Sequence, residues 1–364
     1  MKLALAALSA RALAEAAAAD GLEAIALDVF GDADTRRAAR KWLRIGSRLS
    51  IDPEAFVAAL VEAAADGATG WVAGAGFEAD PALLARGAAL LPLVGTAPEV
   101  VRAVREPRRF FAALDRHAIA HPAVRRSPPD ALDGWLAKSA YASGGWHIRR
   151  GAREPAEGRY WQREVQGCAM SALFVADRRS FVLVGCSRQI VRPIGASPYV
   201  YCGAIGPLAL DARVHAALER ALEALVAEFA LCGLASLDFI VDRDKLLALE
   251  VNPRPPASIA LFPRGIMRVH VDACLDAKLP VAVKPPDRVR GTEIVYAPAR
   301  FALTSPALAR LAALAHCHDV PFDHARFERD DPVCSVSAEG ADAAEVATML
   351  EARRDAVLRL LELQ

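Results

Sequence analysis

Residues 238–254 read Asp-Phe-Ile-Val-Asp-Arg-Asp-Lys-Leu-Leu-Ala-Leu-Glu-Val-Asn-Pro-Arg. Two apolar runs, Ala235–Val241 and Leu246–Val251, flank the turn Asp242-Arg243-Asp244 and are expected to pair as a hairpin. Glu250 and Asn252 stand two apart, so on a strand they point to one face. With three residues in the turn, Val241 would pair with Lys245 and Asp238 with Ala248, which brings Asp238 to the same face. Two carboxylates and an amide oxygen then converge from neighbouring strands. Hard divalent cations take such oxygen ligands and keep waters that phosphate oxygens can replace. The surrounding Leu, Phe, Ile and Val mark a buried sheet, where a carboxylate without a partner is costly. Arg254, held between Pro253 and Pro255, adds a planar cation suited to a phosphoryl or acyl-phosphate group. Alternation alone is also compatible with a hairpin edge of solvated acids and a proline-rich exit.

The rest of the chain sets the frame. Its 364 residues exceed one ordinary domain and fit two or three. Hydrophobic residues at 54% allow a large core and exclude disorder. Lys plus Arg and Asp plus Glu are both 44, so the basic excess needed for broad nucleic-acid or anionic-membrane binding is missing. Only six of the cations are lysines, which makes a lysine inside an element a rare event. Seven cysteines are scattered without a C-x-x-C pair, as expected for reduced thiols in a cytoplasmic protein. The apolar run Leu3–Leu8 is shorter than a signal-peptide core and reads instead as a first strand.

Strand and helix alternate over residues 1–97, implying an open parallel sheet. Strands are expected at Leu3–Leu8, Ala24–Val29 and Gly70–Ala75, and helices at Arg11–Asp20, Asp34–Leu43, Pro53–Ala65 and Ala82–Leu90. Gly74-Ala75-Gly76 lacks the third glycine of a dinucleotide fingerprint and reads as a tight turn. No G-x-x-x-x-G-K-[ST] motif is present, which argues against a P-loop enzyme. Pro98–Ala120 is helical, and Trp135–Lys138 is a strand leading into the small-residue loop Ala142–Trp146. Antiparallel strands follow, then a helix over Asp211–Cys232 stopped by Gly233, the hairpin, and a mixed segment ending in a helix from Ala341 to Leu363.

The order Glu-x-Asn-Pro-Arg after a hydrophobic strand, at Glu250–Arg254, resembles the metal-binding strand of the ATP-grasp superfamily of carboxylate–amine and carboxylate–thiol ligases. The resemblance implies an α/β and α+β chain: a preATP-grasp Rossmann-like domain at 1–97, the small ATP-grasp lobe at 98–160, the large lobe at 161–285, and a small C-terminal α+β module at 286–364. It implies ATP as ligand, with Mg²⁺, or Mn²⁺ in its place, on Asp238, Glu250 and Asn252. Lys138 followed by Ser143-Gly144-Gly145 matches the family's phosphate-holding lysine and glycine loop. An ammonium offsets phosphate charge there, and glycines let backbone N–H groups approach phosphate oxygens. Tyr160–Gly167 resembles the hinge between the lobes, with Glu164, Val165 and Gln166 bordering the adenine. Ser171, Arg188 and Gln189 match less distinctive positions facing the site, and Arg105–Arg109 stands where many of these ligases carry a further lysine.

A subgroup whose genes lie near tetrahydromethanopterin- and methanofuran-linked one-carbon genes shares Ser9-Ala10-Arg11, Phe30–Thr35 and Arg254–Phe262 in outline; tyramine–glutamate ligase is its best-defined, distant relative. The implied activity is ligation: a small-molecule carboxylate becomes an acyl phosphate and is captured by an amine, with Arg254 and Lys138 as catalytic residues. A glutamate donor and an aromatic amine acceptor follow from the subgroup. Alternatives are a peptide or polyglutamate ligase, and a nucleotide-binding regulatory subunit without turnover. A homodimer is expected because dimers are common in the superfamily. No nucleic acid or membrane partner is expected. His316-Cys317-His318-Asp319 is the one metal-like cluster elsewhere; adjacent residues rarely ligate one zinc, so it reads as a loop.

Overall fold

The computed structural model describes residues 1–154, 156, 158–262 and 265–362. Strands β1 (Lys2–Ala6), β2 (Glu23–Asp28), β3 (Lys41–Arg44) and β4 (Gly70–Ala73) form a sheet in the order β3-β2-β1-β4. All its pairings are parallel. Leu3, Ala4, Leu5 and Ala6 are completely buried, as a parallel sheet covered on both faces requires. Helices α1 (Arg11–Ala19), α2 (Ala33–Ala38), α3 (Pro53–Ala65) and α4 (Pro81–Leu90) provide the cover. Asp32 caps α2 by accepting from Thr35 N–H at 2.8 Å. The helix expected over Asp34–Leu43 stops at Ala38, and Lys41–Arg44 pairs with β2 instead. Sheet pairing here overrides a helical pattern that ended in Trp42 and Leu43.

The expected single helix over Pro98–Ala120 is two, α5 (Pro98–Arg105) and α6 (Pro107–Arg116). Pro107 has no N–H and holds Glu106 extended, so the first helix ends there. The Glu106 side chain then accepts from Arg108 and Arg109 N–H and starts the second. The small lobe is a four-stranded antiparallel sheet, in which β5 (Val124–Arg125), β6 (Trp135–Ser139), β7 (Arg149–Arg150) and β8 (Arg159–Arg163) lie in the order β5-β8-β6-β7.

The large lobe is built on one eight-stranded sheet. Its strands are β9 (Cys168–Asp177), β10 (Phe181–Ile194), β11 (Ser197–Leu208), β12 (Cys232–Asp242), β13 (Lys245–Asn252), β14 (Val289–Tyr296), β15 (Cys317–His318) and β16 (Pro332–Gly340). Their order is β13-β12-β9-β10-β11-β14-β16-β15, so the C-terminal strands extend the sheet of the large lobe. Helix α7 (Ala212–Phe229) packs Leu218, Leu222 and Leu225 into the core that holds Leu237 and Phe239. Ala230, in a left-handed conformation, ends this helix, and Gly233 is already inside β12. That corrects the expected stop at Gly233.

Three further helices, α8 (Ile266–Asp276), α9 (Ser305–Ala312) and α10 (Ala343–Glu362), complete the chain. The sequence reading carried no helix over α8, and Leu363 of the expected last helix lies outside the described residues. His270 on α8 joins two parts of the molecule. It is completely buried, its Nδ1 accepts from Leu234 N–H at 2.9 Å, and its Nε2–H therefore donates to the Val94 carbonyl at 3.0 Å. Among the described residues no helix is long and apolar enough to cross a membrane.

Candidate functional site

The hairpin of β12 and β13 differs from expectation in a way that preserves its chemistry. Its turn holds two residues, because Asp242 pairs with Lys245. A register shift between Asp238 and Phe239 then sets Asp238 opposite Glu250, and Ser236 opposite Asn252. Expecting Asp238 opposite Ala248 was therefore wrong by turn length, and the irregularity restores the shared face. Leu237 and Phe239 point into the α7 core, so Asp238 between them points away from it, into the cleft.

Asp238 also faces Ser171 on β9. Its Oδ1 accepts from Ser171 Oγ at 2.6 Å and its Oδ2 from Asn252 Nδ2 at 3.1 Å. Burial, and next the nearby Glu250 charge, push the Asp238 carboxyl up to about 6. Burial would raise Glu250 too, but Arg105 and Lys138 outweigh it and hold Glu250 below the usual carboxylate range. Arg105 Nη1 donates to Glu250 Oε2 at 2.9 Å, and its other nitrogens donate to the carbonyls of Ala140 and Ala142. Sequence reading had marked only the neighbourhood of Arg105; its tie to Glu250 links α5 to β13.

Lys138 is 6% exposed and donates to Gln162 Oε1 at 3.2 Å. Burial disfavours its charge, yet Tyr160 and Glu250 reverse this and raise its pKa above the ordinary lysine value. The Gln162 amide nitrogen is buried in the cleft wall without a partner. An unpaired donor of this kind costs about 1–3 kcal/mol and suits an acceptor-rich ligand. His147, beyond the glycine loop, also lacks partners on both ring nitrogens, and burial pushes its imidazole down to about 4.

Ser143, Gly144 and Gly145 line the cleft beside Lys138. The loop is pinned to the large lobe, since Tyr201 N–H donates to the Gly144 carbonyl at 2.9 Å. At Gly145 (φ +79°) a Cβ would lie 1.7 Å from the Tyr199 carbonyl oxygen. Glycine is thus required there by the close approach of β11. At the hinge, Glu164, Val165 and Gln166 also line the cleft. The Glu164 N–H is taken by the Gly134 carbonyl at 2.9 Å, and its carboxylate accepts from Arg150 at 2.5 Å and from the Tyr199 hydroxyl. Its side chain therefore ties the hinge to β7 and β11.

Arg254 lines the same cleft. Its Nε donates to Glu78 Oε1 at 2.5 Å. Glu78, 2% exposed, follows the Gly74-Ala75-Gly76 turn, and the sequence carried no signal for this partner. Burial alone would raise the Glu78 carboxyl, but Arg254 and Arg105 hold it below the usual range.

Asp238, Glu250 and Asn252 are thus brought together, with Lys138 and Arg254 lining the same cleft and the buried Arg105 bonded to Glu250. An all-oxygen donor set in which one carboxylate raises the pKa of another fits a hard divalent cation. The cleft volume is 1620 Å³. That exceeds the roughly 300–1,000 Å³ of a single small-molecule site.

Residues 106–258 match the family model of the ATP-grasp domain. Solved structures align along nearly the full length at low identity, which shows the shared fold. An L-amino acid ligase from Bacillus licheniformis has TM-score 0.67 and 13% identity, with 97% of each chain covered. A carboxyaminoimidazole ribonucleotide synthase from Aspergillus clavatus complexed with ATP has TM-score 0.69 and 16% identity, with 98% of each chain covered. A biotin carboxylase from Campylobacter jejuni has TM-score 0.69 and 14% identity, with 95% of this chain and 89% of that one covered. No curated protein matches the sequence.

Proposed function

Taking as premise an ATP-grasp domain over residues 106–258 in a chain with the ATP-grasp fold, we propose an ATP-dependent ligase that joins a small carboxylic acid to an amine. A carboxylate oxygen attacks the γ-phosphorus, the bond to the β,γ-bridging oxygen breaks, and ADP leaves with that electron pair. The amine nitrogen then attacks the acyl carbon, inorganic phosphate departs, and the nitrogen loses a proton, leaving an amide. Asp238, Glu250 and Asn252 would hold Mg²⁺, which when bound supplies positive charge to the phosphate oxygens. Lys138 keeps its charge in the cleft and holds phosphate oxygens, with Ser143, Gly144 and Gly145 alongside. The hinge at Glu164, Val165 and Gln166 borders the adenine. Arg254, oriented by Glu78, steadies the acyl phosphate. Catalysis is then positioning and charge neutralisation, with no covalent enzyme intermediate.

The observation that carries this reading is the pairing of Asp238 with Glu250, with Asn252 two residues on, inside a cleft that also receives Lys138 and Arg254. The finer assignment, glutamate joined to an aromatic amine in methanofuran-type cofactor assembly, rests on the sequence resemblance alone. The alternative of an amino-acid or peptide ligase draws support from the fold shared with an L-amino acid ligase. Release of ADP and phosphate is to be measured with panels of carboxylates and amines. Release that requires one of each supports a ligase and identifies the pair. ATP binding without such release favours a regulatory subunit, and no ATP binding removes every version.

A further inference from the structure

His318 ends β15, in the segment that read as a loop without partner ligands. The fold supplies partners from the other end of the chain. Glu15 on α1 and Asp34 in the first turn of α2 each bring a carboxylate oxygen to a ring nitrogen of His318, all three atoms within 4.8 Å of one another. We infer that Glu15, Asp34 and His318 form a divalent transition-metal site, of the class zinc occupies, between the N-terminal domain and the C-terminal module.

One independent observation points to a ligand. The Asp34 side chain is 8% exposed, and its Oδ2 is buried without a hydrogen-bond partner. Such an atom is expensive unless something positive meets it. Its Oδ1 is engaged by Arg37, whose side chain is 71% exposed and free to swing into solvent. The His318 ring is held by a 2.8 Å hydrogen bond between Nε2 and Ser337 Oγ. If Nε2–H donates, Nδ1 keeps its lone pair for a metal, the arrangement in which an outer hydrogen bond orients a ligating imidazole.

Glu15 accepts from Arg11 at 2.9 Å through Oε2, and its side chain is 37% exposed, so the fourth coordination position can be water. Ligand atoms around a tetrahedral zinc stand about 3.3 Å apart for bonds of about 2.0 Å. The three atoms already lie within 4.8 Å of one another, and the exposure of Glu15 leaves its side chain room to rotate. Two carboxylates and a neutral imidazole balance a dication. None of the three residues lines the ATP-grasp cleft, so the site is separate from Asp238, Glu250 and Asn252.

The test is zinc binding to the full chain after chelator treatment, by equilibrium dialysis and calorimetry without nucleotide. Wild type and Glu250→Gln should each bind one zinc. Asp34→Asn and Glu15→Gln should lose at least about tenfold in affinity, and Ser337→Ala should lose about 10–100-fold. Zinc should raise the melting temperature of wild type and leave that of Asp34→Asn unchanged. Should Asp34→Asn not fold, Glu15→Gln, at a half-exposed position, decides. The inference is overturned if folded wild type takes up no stoichiometric zinc, if uptake is unchanged in Glu15→Gln, or if it disappears in Glu250→Gln.

Discussion

Arg254 and Glu78 meet at 2.5 Å across the boundary between the N-terminal domain and the large lobe, with side chains only 13% and 3% exposed. The arginine that faces the cleft is thus aimed by a carboxylate more than 170 residues earlier. Glu78→Gln should cost about 3 kcal/mol of stability, because it strands a buried charge. It should also lower kcat by about tenfold to a hundredfold through loss of aim, with ATP KM little changed. Equal rises in ATP KM and falls in kcat would show that Glu78 supports the fold rather than the orientation of Arg254.

Lys138→Ala and Glu250→Ala should each reduce turnover at least about a thousandfold while leaving the circular dichroism spectrum intact. Wild-type rates in either variant would overturn the assignment of the cleft.

The raised Asp238 carboxyl gives a pH signature. Its charged form is disfavoured in the folded protein, so it takes up a proton as pH falls through about 6. On the proposed function, protons would then compete with Mg²⁺ for this carboxylate. At sub-saturating Mg²⁺, activity should drop below about pH 6, and added Mg²⁺ should move the midpoint to lower pH. A midpoint indifferent to Mg²⁺ concentration would remove Asp238 from the ion site.

His270 makes the opposite contribution, to stability. Its folded pKa is about 4 against an ordinary 6.5, so the unfolded chain binds the extra proton between these values. Stability contributed by the neutral ring is complete above pH 6.5 and lost as pH falls to about 4. The full span amounts to about 3 kcal/mol. Denaturant titrations of wild type and His270→Gln should show this part of the acid loss only in wild type.

Gly145→Ala should lower kcat/KM about a hundredfold, because the added methyl must push the loop off the Tyr199 carbonyl and displace the phosphate side by about 1 Å. Unchanged nucleotide affinity and rate would mean that the loop takes no part in binding.

Much of this was legible along the chain because the informative residues are local. Glu250 and Asn252 share a strand, where alternation gives them one face, and Lys138 stands a few residues before the glycine loop that the family resemblance implies. Asp238 was placed correctly through a wrong register, since turn length and bulges depend on cross-strand bonds that no linear pattern records. Glu78, Arg105 and His270 act through partners 36 to 176 residues away. The His316–Asp319 cluster read as a loop for the same reason, because Glu15 and Asp34 lie far away along the chain. The helix α8 follows a proline-rich exit that masks its start, and strand β3 was lost because its sheet neighbours decide it.

The eight-stranded sheet has a mechanical consequence. At one edge, β13 runs out to Arg254, which grips Glu78; at the other, β15 runs out to Asp319, which accepts from Arg11 at 2.7 Å. The N-terminal domain is therefore tied by an ion pair to both rims of one continuous sheet. The small lobe is bonded to β11 of that sheet where Tyr201 N–H donates to the Gly144 carbonyl, Arg149 to Ser197 Oγ and Arg150 to the Tyr199 hydroxyl.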